Sequence, residues 1–358
     1  MPRLSFRRAT MVLHRWVGLV AGVLLAVMGL SGSALVFRAE IDRALNPHLL
    51  RVEVGESRQS LAAVVAAASA THPGERPRRL RMPPRPDGSI EVWMGSKPDR
   101  FVYVDPYTAR VLGARRPTEF LTGWLFELHA YLLAGEIGHR TVGVAALVLV
   151  GLALSGLVVW WPGRAKVRLA ITVARGRGRR RIISDAHRAG GFYVSGLLLL
   201  SGLTGASLIF HEQFEAVLDR AFRTPAVPPA PVATSPAALP ALPVDRALAA
   251  AERVAPGGYV SYLYLPAAPE EPVTVRKRLP GELHPNGKTF VYVDPRDATI
   301  LGHVNGPTSP AGARAYSALY PLHTGMAGGL AMRMLMVLVG LSPAVLLVTG
   351  VLMWRARA

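Results

Sequence analysis

The chain contains no cysteine. This absence excludes disulfide bridges, thiolate metal sites and iron–sulfur clusters from the protein. Acidic residues are also scarce, because 23 Asp and Glu stand against 41 Lys and Arg, for a formal net charge of +18. No G-x-G-x-x-G follows a strand-like segment, so a built-in dinucleotide site is not expected.

Long uncharged stretches dominate what is present. Four segments of 21 or 22 residues lack Asp, Glu, Lys and Arg: 16–37, 141–161, 189–210 and 334–354. At about 1.5 Å per residue, each can cross the roughly 30 Å hydrocarbon core of a bilayer. Helices of soluble proteins average about 11–12 residues and are amphipathic. The first segment is too long for the core of a signal peptide. The sequence predicts a membrane α-helical protein with four transmembrane helices.

The positive charge is concentrated beside these spans. Residues 1–15 carry four Arg and no acid, and residues 162–188 carry eight Arg and one Lys against one acid. Arg355 and Arg357 close the chain. The positive-inside rule places these short segments in the cytoplasm. This distribution argues against nucleic acid as a partner, whereas the run 175–181 can bind anionic lipid head groups.

The two long loops then lie on the opposite side of the membrane. The expected order is an N-terminus with the first span (1–37), an external module (38–138), the second span (139–161), a basic cytoplasmic loop (162–188), the third span (189–210), a second external module (211–330) and the fourth span with the C-terminus (331–358). Within the second module, residues 224–243 contain seven prolines and are predicted to be a linker.

An internal repeat links the two halves of the chain. The hexapeptide Phe-Val-Tyr-Val-Asp-Pro occurs at 101–106 and again at 290–295, followed by Gly113 and Gly302 respectively. An offset of 173 residues also aligns glycines and a histidine of the first span with those of the third. Each half therefore runs as helix, external module, helix. Because both halves have the same orientation, the two-fold axis should run along the membrane normal.

Both external modules are predicted to be α+β. Residues 60–70 and 244–254 have helical character, and extended segments at 89–94 and 259–265 follow them. The repeated hexapeptide is expected to form the last strand of each module, and its Asp-Pro with the later glycine is expected to mark a turn.

Four of the ten histidines obey the repeat: His14 matches His187, and His129 matches His323. The first two open their spans at the cytoplasmic side, and the other two precede the outbound spans at the external side. An ionisable residue at a membrane span is costly and indicates function. Two imidazoles that face each other across a two-fold axis can hold one metal, and haem iron needs two axial ligands. Nearby glycines would let a flat macrocycle approach the helices: Gly18, Gly22, Gly190 and Gly191.

Two other interpretations stay open for these histidines. Each one can be an ordinary interfacial residue, or the pairs can hold zinc or copper. Zinc prefers four ligands, and no tight ligand spacing is present. His211-Glu212 lacks the second histidine of an HExxH motif. His211 and His139 break the repeat but lie at external span ends, so either can replace His129 or His323 as a ligand. The remaining histidines are expected on the surface of the modules: His48, His72, His284 and His303.

Several motifs carry a resemblance to a known family: Leu13-His14-Arg15-Trp16-x-Gly18, Val104-Asp105-Pro106 with Gly113, Leu128-His129-x-x-Leu132-Leu133-x-Gly135-x-x-Gly138, and the Leu322-His323 copy. Together they resemble the PepSY-associated transmembrane family of bacterial inner-membrane proteins. The resemblance implies two PepSY-like periplasmic modules and cytoplasmic termini. It also implies two haem b groups, held by His14, His187, His129 and His323. The second half departs from the pattern at Thr324-Gly325-Met326, and Pro343 interrupts the fourth span.

Some members of that family are similar to haem reductases that release iron from ferric siderophores. The implied activity is an oxidoreductase that takes electrons from a quinol or a cytoplasmic reductase and passes them to a periplasmic ferric siderophore or chelate. The alternatives are a non-enzymatic module that binds or regulates a periplasmic partner or peptidase, and a siderophore permease. Four arginines can attract an anionic ferric chelate, although a solvated surface is the simpler interpretation: Arg78, Arg79, Arg81 and Arg85.

Overall fold

A computed structural model describes residues 6–95, 100–174, 178–224, 231–232, 244–268 and 270–356. Most of the predicted linker 224–243, part of the run 175–181 and Arg357 lie outside the described residues. The chain divides into two compact units. The membrane unit comprises Met1–Arg38, Leu125–Phe214 and Leu319–Ala358, and the sheet unit comprises Ala39–Trp124 and Glu215–Ala318.

Helices and strands are numbered along the chain. The helices are α1 (Phe6–Leu35), α2 (Arg38–Leu45), α3 (Pro47–Leu50), α4 (Leu61–Thr71), α5 (Leu121–Tyr131), α6 (Gly135–Trp160), α7 (Val167–Ala170), α8 (Arg179–Ile209), α9 (His211–Phe222), α10 (Val244–Val254), α11 (Ala311–His323) and α12 (Gly329–Arg355). The strands are β1 (Pro77–Arg81), β2 (Ile90–Met94), β3 (Arg100–Val104), β4 (Val111–Arg115), β5 (Tyr259–Tyr264), β6 (Val273–Arg278), β7 (Thr289–Val293) and β8 (Ile300–Val304).

The membrane unit is built on α1, α6, α8 and α12, which are long and apolar enough to cross a membrane. The prediction of four such helices is confirmed. Helix α1 packs against α6 and α12, and α8 packs against the same two helices. Helices α1 and α8 therefore occupy diagonal positions in a four-helix arrangement, as do α6 and α12.

Small residues allow the apolar helices to approach each other closely. A Cβ on Gly29 of α1 would overlap the carbonyl oxygen of Gly340 in α12. The Oγ of Ser33 in α1 donates a 2.9 Å hydrogen bond to the Val337 carbonyl in α12. Helix α12 continues through Pro343, so the prediction that this proline interrupts the fourth span is wrong. A proline costs one backbone hydrogen bond, which neighbouring helices and local adjustment make tolerable in a spanning helix.

The sheet unit contains one eight-stranded antiparallel sheet in the order β4-β3-β2-β1-β5-β6-β7-β8. Four strands come from residues 77–115 and four from residues 259–304. They are joined at the centre by the pairing of β1 with β5, in which Arg79 lies opposite Tyr264 and Arg81 opposite Tyr262. The two loops therefore share one continuous sheet in place of a separate sheet in each.

The repeated hexapeptide forms β3 and β7, but neither strand is the last of its group, so that prediction is wrong. After β3, the Asp105 Oδ1 accepts a 2.8 Å hydrogen bond from the Tyr107 N–H, which closes a turn. The chain then returns as the edge strand β4, and Gly113 lies within it, opposite Tyr103. The aspartate of the motif is thus a turn-forming residue, and the glycine belongs to a strand rather than to the turn.

Helices α4 and α10, both predicted from the sequence, pack on one face of the sheet and form its main hydrophobic core. The carboxylate of Asp245 in α10 accepts hydrogen bonds from the Leu61 N–H at 2.7 Å and the Ala62 N–H at 3.1 Å, which caps α4. The fully buried Lys277 donates to the Ala255 carbonyl at 2.5 Å and pairs with Glu252. These polar contacts hold both helices against the strands.

Candidate functional site: paired histidines of the membrane unit

His14 and His187 lie on the two diagonal helices, each eight residues after the start of its helix. They stand more than two turns inside α1 and α8 rather than at their first residues. We call these two the span pair. His129 lies on α5 and His323 on α11, the helices that precede α6 and α12. We call these two the connector pair.

Each ring of the span pair is held by a hydroxyl group on a neighbouring helix. The His14 Nδ1 lies 2.9 Å from the Ser155 Oγ, and the His187 Nδ1 lies 2.8 Å from the Thr349 Oγ1. Both hydroxyl groups also donate to carbonyl oxygens of their own helix, at 3.1 Å and 2.8 Å. A hydroxyl group has one hydrogen, so both contacts are hydrogen bonds only if it donates to the carbonyl and accepts from the imidazole. This assigns a proton to Nδ1, and Nε2 of the neutral ring then keeps its lone pair.

The connector pair is held in the same way. The His129 Nδ1 lies 3.2 Å from the Ser31 Oγ and 2.9 Å from the Met28 carbonyl oxygen. The His323 Nδ1 lies 3.0 Å from the Thr204 Oγ1. Both hydroxyl groups donate to carbonyls one turn earlier in their own helices, at 2.8 Å and 2.7 Å. The same accounting leaves Nε2 as the free base on both rings.

This arrangement is the one that metal-bound histidines have. A ligating histidine donates its other ring N–H to a neighbouring acceptor, which selects the tautomer and orients the ring. The ring centroids of His129 and His323 are 6.3 Å apart, with planes at 46°. Because metal–imidazole bonds are about 2.0–2.1 Å long, two imidazoles on opposite sides of one metal place their centroids about 6 Å apart. The connector pair has this separation.

A cavity of about 430 Å³ connects His14 with His187. Its wall is largely apolar, and Gly18, Gly22 and Gly191 line it as the sequence predicted, whereas Gly190 is not among the lining residues. Both histidines of the span pair line this one space, together with other residues of α1 and α8. The cavity is thus shared by the two imidazole side chains.

A cationic side chain also lines this cavity. The Nε of Arg15 is buried and has no hydrogen-bond partner within the described residues. A buried guanidinium nitrogen without an acceptor is costly, so the site suits a ligand that carries an anionic group. Arg188, which lines the same cavity, is bound by the Asp185 carboxylate at 2.9 Å. The donor left over in the cavity is thus Arg15.

Glycines leave room for the imidazole rings. A Cβ on Gly32 would come within 2.8 Å of the His129 Cε1, and one on Gly205 within 3.2 Å of the His323 Cε1. Gly156 has the same relation to His14, at 3.2 Å. A side chain at any of these positions would push the ring away from its hydroxyl acceptor.

Sequence reasoning missed the hydroxyl groups, although the repeat contains them. Ser31 and Thr204 are 173 residues apart, as are His14 and His187. Ser155 and Thr349 are 194 residues apart, as are His129 and His323, and Gly156 and Gly350 share this offset. Extending the two offsets through all four spans marks these hydroxyl residues and glycines as repeat-matched candidates, but the histidine that each one contacts is given only by the structure.

The other histidines differ in their surroundings. His139 stacks on Tyr131 with ring centroids 4.6 Å apart and donates to the Ala130 carbonyl at 3.0 Å. His211 is exposed at the start of α9. His48 and His303, which belong to the sheet unit, are also exposed. The expectation of a surface position is wrong for His284, which is buried. Burial, reinforced by the charge of Arg276, lowers the pKa of His284 to about 3.

Pairs of histidines fit some cofactors better than others. Within the described residues, no cluster of three or more His, Cys, Asp or Glu could hold a metal ion. Zinc requires three or four protein ligands, whereas haem supplies four nitrogens itself and needs only two axial ligands. The Nε2 atoms, the cavity and the Arg15 Nε therefore fit haem, and His14, His187, His129 and His323 are the residues that would hold it.

The fold and the paired histidines define a membrane protein of four apolar helices with a separate antiparallel sheet. The chain matches the family described as the PepSY-associated TM region over residues 11–357. This match covers almost the whole chain, and the protein belongs to that family. No curated protein matches the sequence.

Proposed function

We propose that this protein is an inner-membrane haem reductase that carries electrons across the membrane to a periplasmic ferric chelate, of the ferric siderophore kind. The observation that carries the proposal is the set of Nδ1 contacts of the four repeat-matched histidines, from which the tautomer of the neutral ring is assigned. Each donates Nδ1–H to a helix-bound acceptor and presents a free Nε2, which is the state of an axial ligand. Two such pairs give one candidate site on the spanning helices and another on the connectors.

The proposal includes a two-fold repeat along the membrane normal. It is supported by matched contacts in both halves, because Ser31 and Thr204 hold the connector pair while Ser155 and Thr349 hold the span pair. The basic segments next to His14 and His187 support a position of the span pair near the cytoplasmic face, by the positive-inside rule. The connector pair and the sheet unit, as two PepSY-like modules in one sheet, are then periplasmic.

The residues of the chain would prepare the two sites before any cofactor binds. His14 and His187 would ligate one haem b and His129 and His323 a second, and Arg15 would receive an anionic group of the first. Haem supplies one-electron transfer at its iron, with a potential set by axial ligands, burial and nearby charge. The hydroxyl acceptors prevent the imidazoles from turning, and the apolar lining excludes water from the cavity. The donor would be a quinol or a cytoplasmic reductase.

The absorption spectrum of dithionite-reduced membranes that contain the protein tests the proposal. We expect a Soret band and a haem-to-protein ratio near two. His14→Ala and His187→Ala should each lose one haem while the protein remains inserted, because one axial ligand of the span pair is gone. His303→Ala, at an exposed position of the sheet unit, is the control and should keep both haems. A colourless protein at wild-type expression would refute the haem reductase and would favour the non-enzymatic binding module.

A further inference from the structure

Opposite the helix layer, the sheet unit has a second face on which aromatic and arginine side chains alternate. Helices α4 and α10 cover the face that carries Leu80, Val92 and Leu263. The next residues along the same strands point the other way and are half-buried. We call this set the arginine–aromatic face: Arg79, Trp93, Tyr262, Tyr264, Arg276 and Phe290.

The residues of this face form neighbouring cross-strand rows. Arg79 lies directly opposite Trp93 on one side and Tyr264 on the other. In the adjacent row, Arg276 lies opposite Tyr262 and Phe290. The face therefore spans β2, β1, β5, β6 and β7, and its middle is the junction where the two groups of strands meet.

Among the residues that the structure describes, Arg79 contacts aromatic rings and forms no ion pair with a carboxylate. Its guanidinium carbon lies 3.5 Å from the centroid of Trp93, 5.3 Å from that of Tyr262 and 5.6 Å from that of Tyr264. An acid does lie on this face, but the Glu91 carboxylate accepts from the Trp93 Nε1 at 2.5 Å and from the Tyr103 Oη at 3.1 Å. Aromatic contacts orient a guanidinium but leave its charge in place. A half-buried positive charge of this kind favours an anion.

We propose that the arginine–aromatic face binds an anionic aryl iron chelate, of the catecholate class. Planar rings of such a ligand would stack on Tyr262 and Tyr264, and its oxygens would accept hydrogen bonds from Arg79. Arg276, whose Nε and Nη2 already donate to the Gly287 carbonyl at 2.9 and 2.7 Å, would add its positive charge. A chelate without rings would lose the stacking, and a neutral one would lose the charge pairing. The choice of an iron chelate as the ligand rests on the proposed function. Binding of that chelate to the face requires no electron transfer.

Equilibrium dialysis of the detergent-solubilised full-length protein with radiolabelled iron, without reductant, tests this proposal. The probes are the ferric complex of dihydroxybenzoate, which is anionic and aromatic, ferric citrate, which is anionic without rings, and ferric acetohydroxamate, which is neutral without rings. We expect the first to bind at least about tenfold more tightly than the other two, since ring and charge contacts act together. Equal affinity for all three, or for a short single-stranded oligonucleotide, would overturn the proposal.

Substitutions locate the binding. Arg79→Gln should weaken dihydroxybenzoate-complex binding about tenfold, and Arg79→Lys should weaken it less, because lysine keeps the charge but not the planar group. Arg253→Gln removes the same charge from an exposed position on α10, on the helix side of the sheet, and should have no effect. Equal losses in Arg79→Gln and Arg253→Gln would refute the assignment. If Arg79→Gln does not fold, the Arg79→Lys comparison decides.

The Soret band is recorded on the same samples. Binding by a protein that has no haem would refute the proposed reductase and keep this site. A protein that contains haem but does not bind the dihydroxybenzoate complex would refute this binding site and leave the proposed reductase standing. The two proposals therefore fail separately.

Discussion

The two halves of the chain hold their histidines alike but differ in what surrounds them. In each half a serine or threonine on a spanning helix accepts the Nδ1–H of a histidine on another helix. Next to His187, however, Arg188 is bound by the Asp185 carboxylate. In the first half, the residue that matches Asp185 in the repeat is the uncharged Val12. The imidazole geometry is thus shared, while the charges near it are not. A repeated sequence can preserve a pair of histidines while the charged residues beside them differ between the two halves.

The connection after each connector histidine also differs. In the first half, Leu132 and Leu133 adopt positive φ angles of 50° and 55°. In the second half, Gly325 adopts a positive φ of 75° close to the same point. Leucine pays a steric cost in this region that glycine does not. The first half therefore holds its turn under strain.

The largest expected effect tests whether the connector pair is symmetric. His129→Ala and His323→Ala should each remove one haem, and the double variant should lose no more than either single variant, because in the proposed site both residues would hold the same iron. The haem-to-protein ratio measured on purified protein checks this. His139→Ala, whose ring stacks on Tyr131, is the control and should keep full haem content. A loss from only one of the two single variants would show that the ligands are not paired.

The second effect separates the two arginines. Arg188→Gln should lower the free energy of unfolding by about 3 kcal/mol, because it leaves Asp185 buried with one cation fewer. Arg15→Gln should leave stability nearly unchanged, but it should lower the midpoint potential of the haem held by the span pair by tens of millivolts. Thermal unfolding and a redox titration measure the two effects. The comparison fails if Arg15→Gln destabilises the protein as much as Arg188→Gln does.

The third effect concerns the sheet unit, where α10 is tied to the buried Lys277 by Glu252. The hydrogen bond from Lys277, followed by that from the Gly257 N–H, holds the pKa of the Glu252 carboxyl below its ordinary value of 4.5. For a lowered acid pKa, the stabilisation is complete above pH 4.5 and is lost as the pH falls towards the folded pKa.

Glu252→Gln should therefore cost about 2 kcal/mol at pH 7, since it leaves a buried ammonium without its carboxylate. The difference in free energy of unfolding between Glu252→Gln and the wild type should become smaller as the pH falls below 4.5, because the wild-type carboxylate is then protonated. Thermal unfolding followed by circular dichroism at several pH values measures it, with the exposed Glu53→Gln as control. A difference that does not vary with pH would mean that the Glu252 carboxylate is not involved.

The smallest effect tests the strained turn. Gly325→Ala should cost about 1 kcal/mol because of its positive φ, and its Cβ would lie 2.9 Å from the Met332 carbonyl oxygen. Leu133→Gly should stabilise the protein by about 0.5 kcal/mol, since relief of strain exceeds the added freedom of the unfolded chain. Ala134→Gly, at a φ of −120°, is the control and should give no gain. Unfolding midpoints measure all three variants. Equal changes in stability for Leu133→Gly and Ala134→Gly would contradict strain at Leu133.

Much of the fold follows from local sequence. A stretch of 21 or 22 residues without charge predicts a helix long and apolar enough to cross a membrane, and the β-branched and aromatic run Phe101–Val104 predicts a strand. The edge strands β4 and β8 escaped prediction because Val111–Arg115 and Ile300–Val304 are short and are paired on one side only. The junction of β1 with β5 escaped it because the partners are more than 180 residues apart in the chain.

The site divides in the same way. The four histidines could be identified from the repeat, because a periodic match survives in the sequence whatever the fold. Their hydroxyl acceptors lie on other helices, so neither their identity nor the protonated nitrogen can be derived from the spacing of the histidines alone. The ring contacts of Arg79 likewise depend on the register of three strands.

By itself, the sequence determined that four helices can cross a membrane and that histidines recur in two matched pairs, because hydropathy and repetition are properties of the chain order. Only the tertiary structure decided which nitrogen of each imidazole is free, where an arginine is left without an acceptor, and how two groups of strands join in one sheet. Those features depend on contacts between distant segments, whose geometry is set by packing and by the need of buried polar groups for partners.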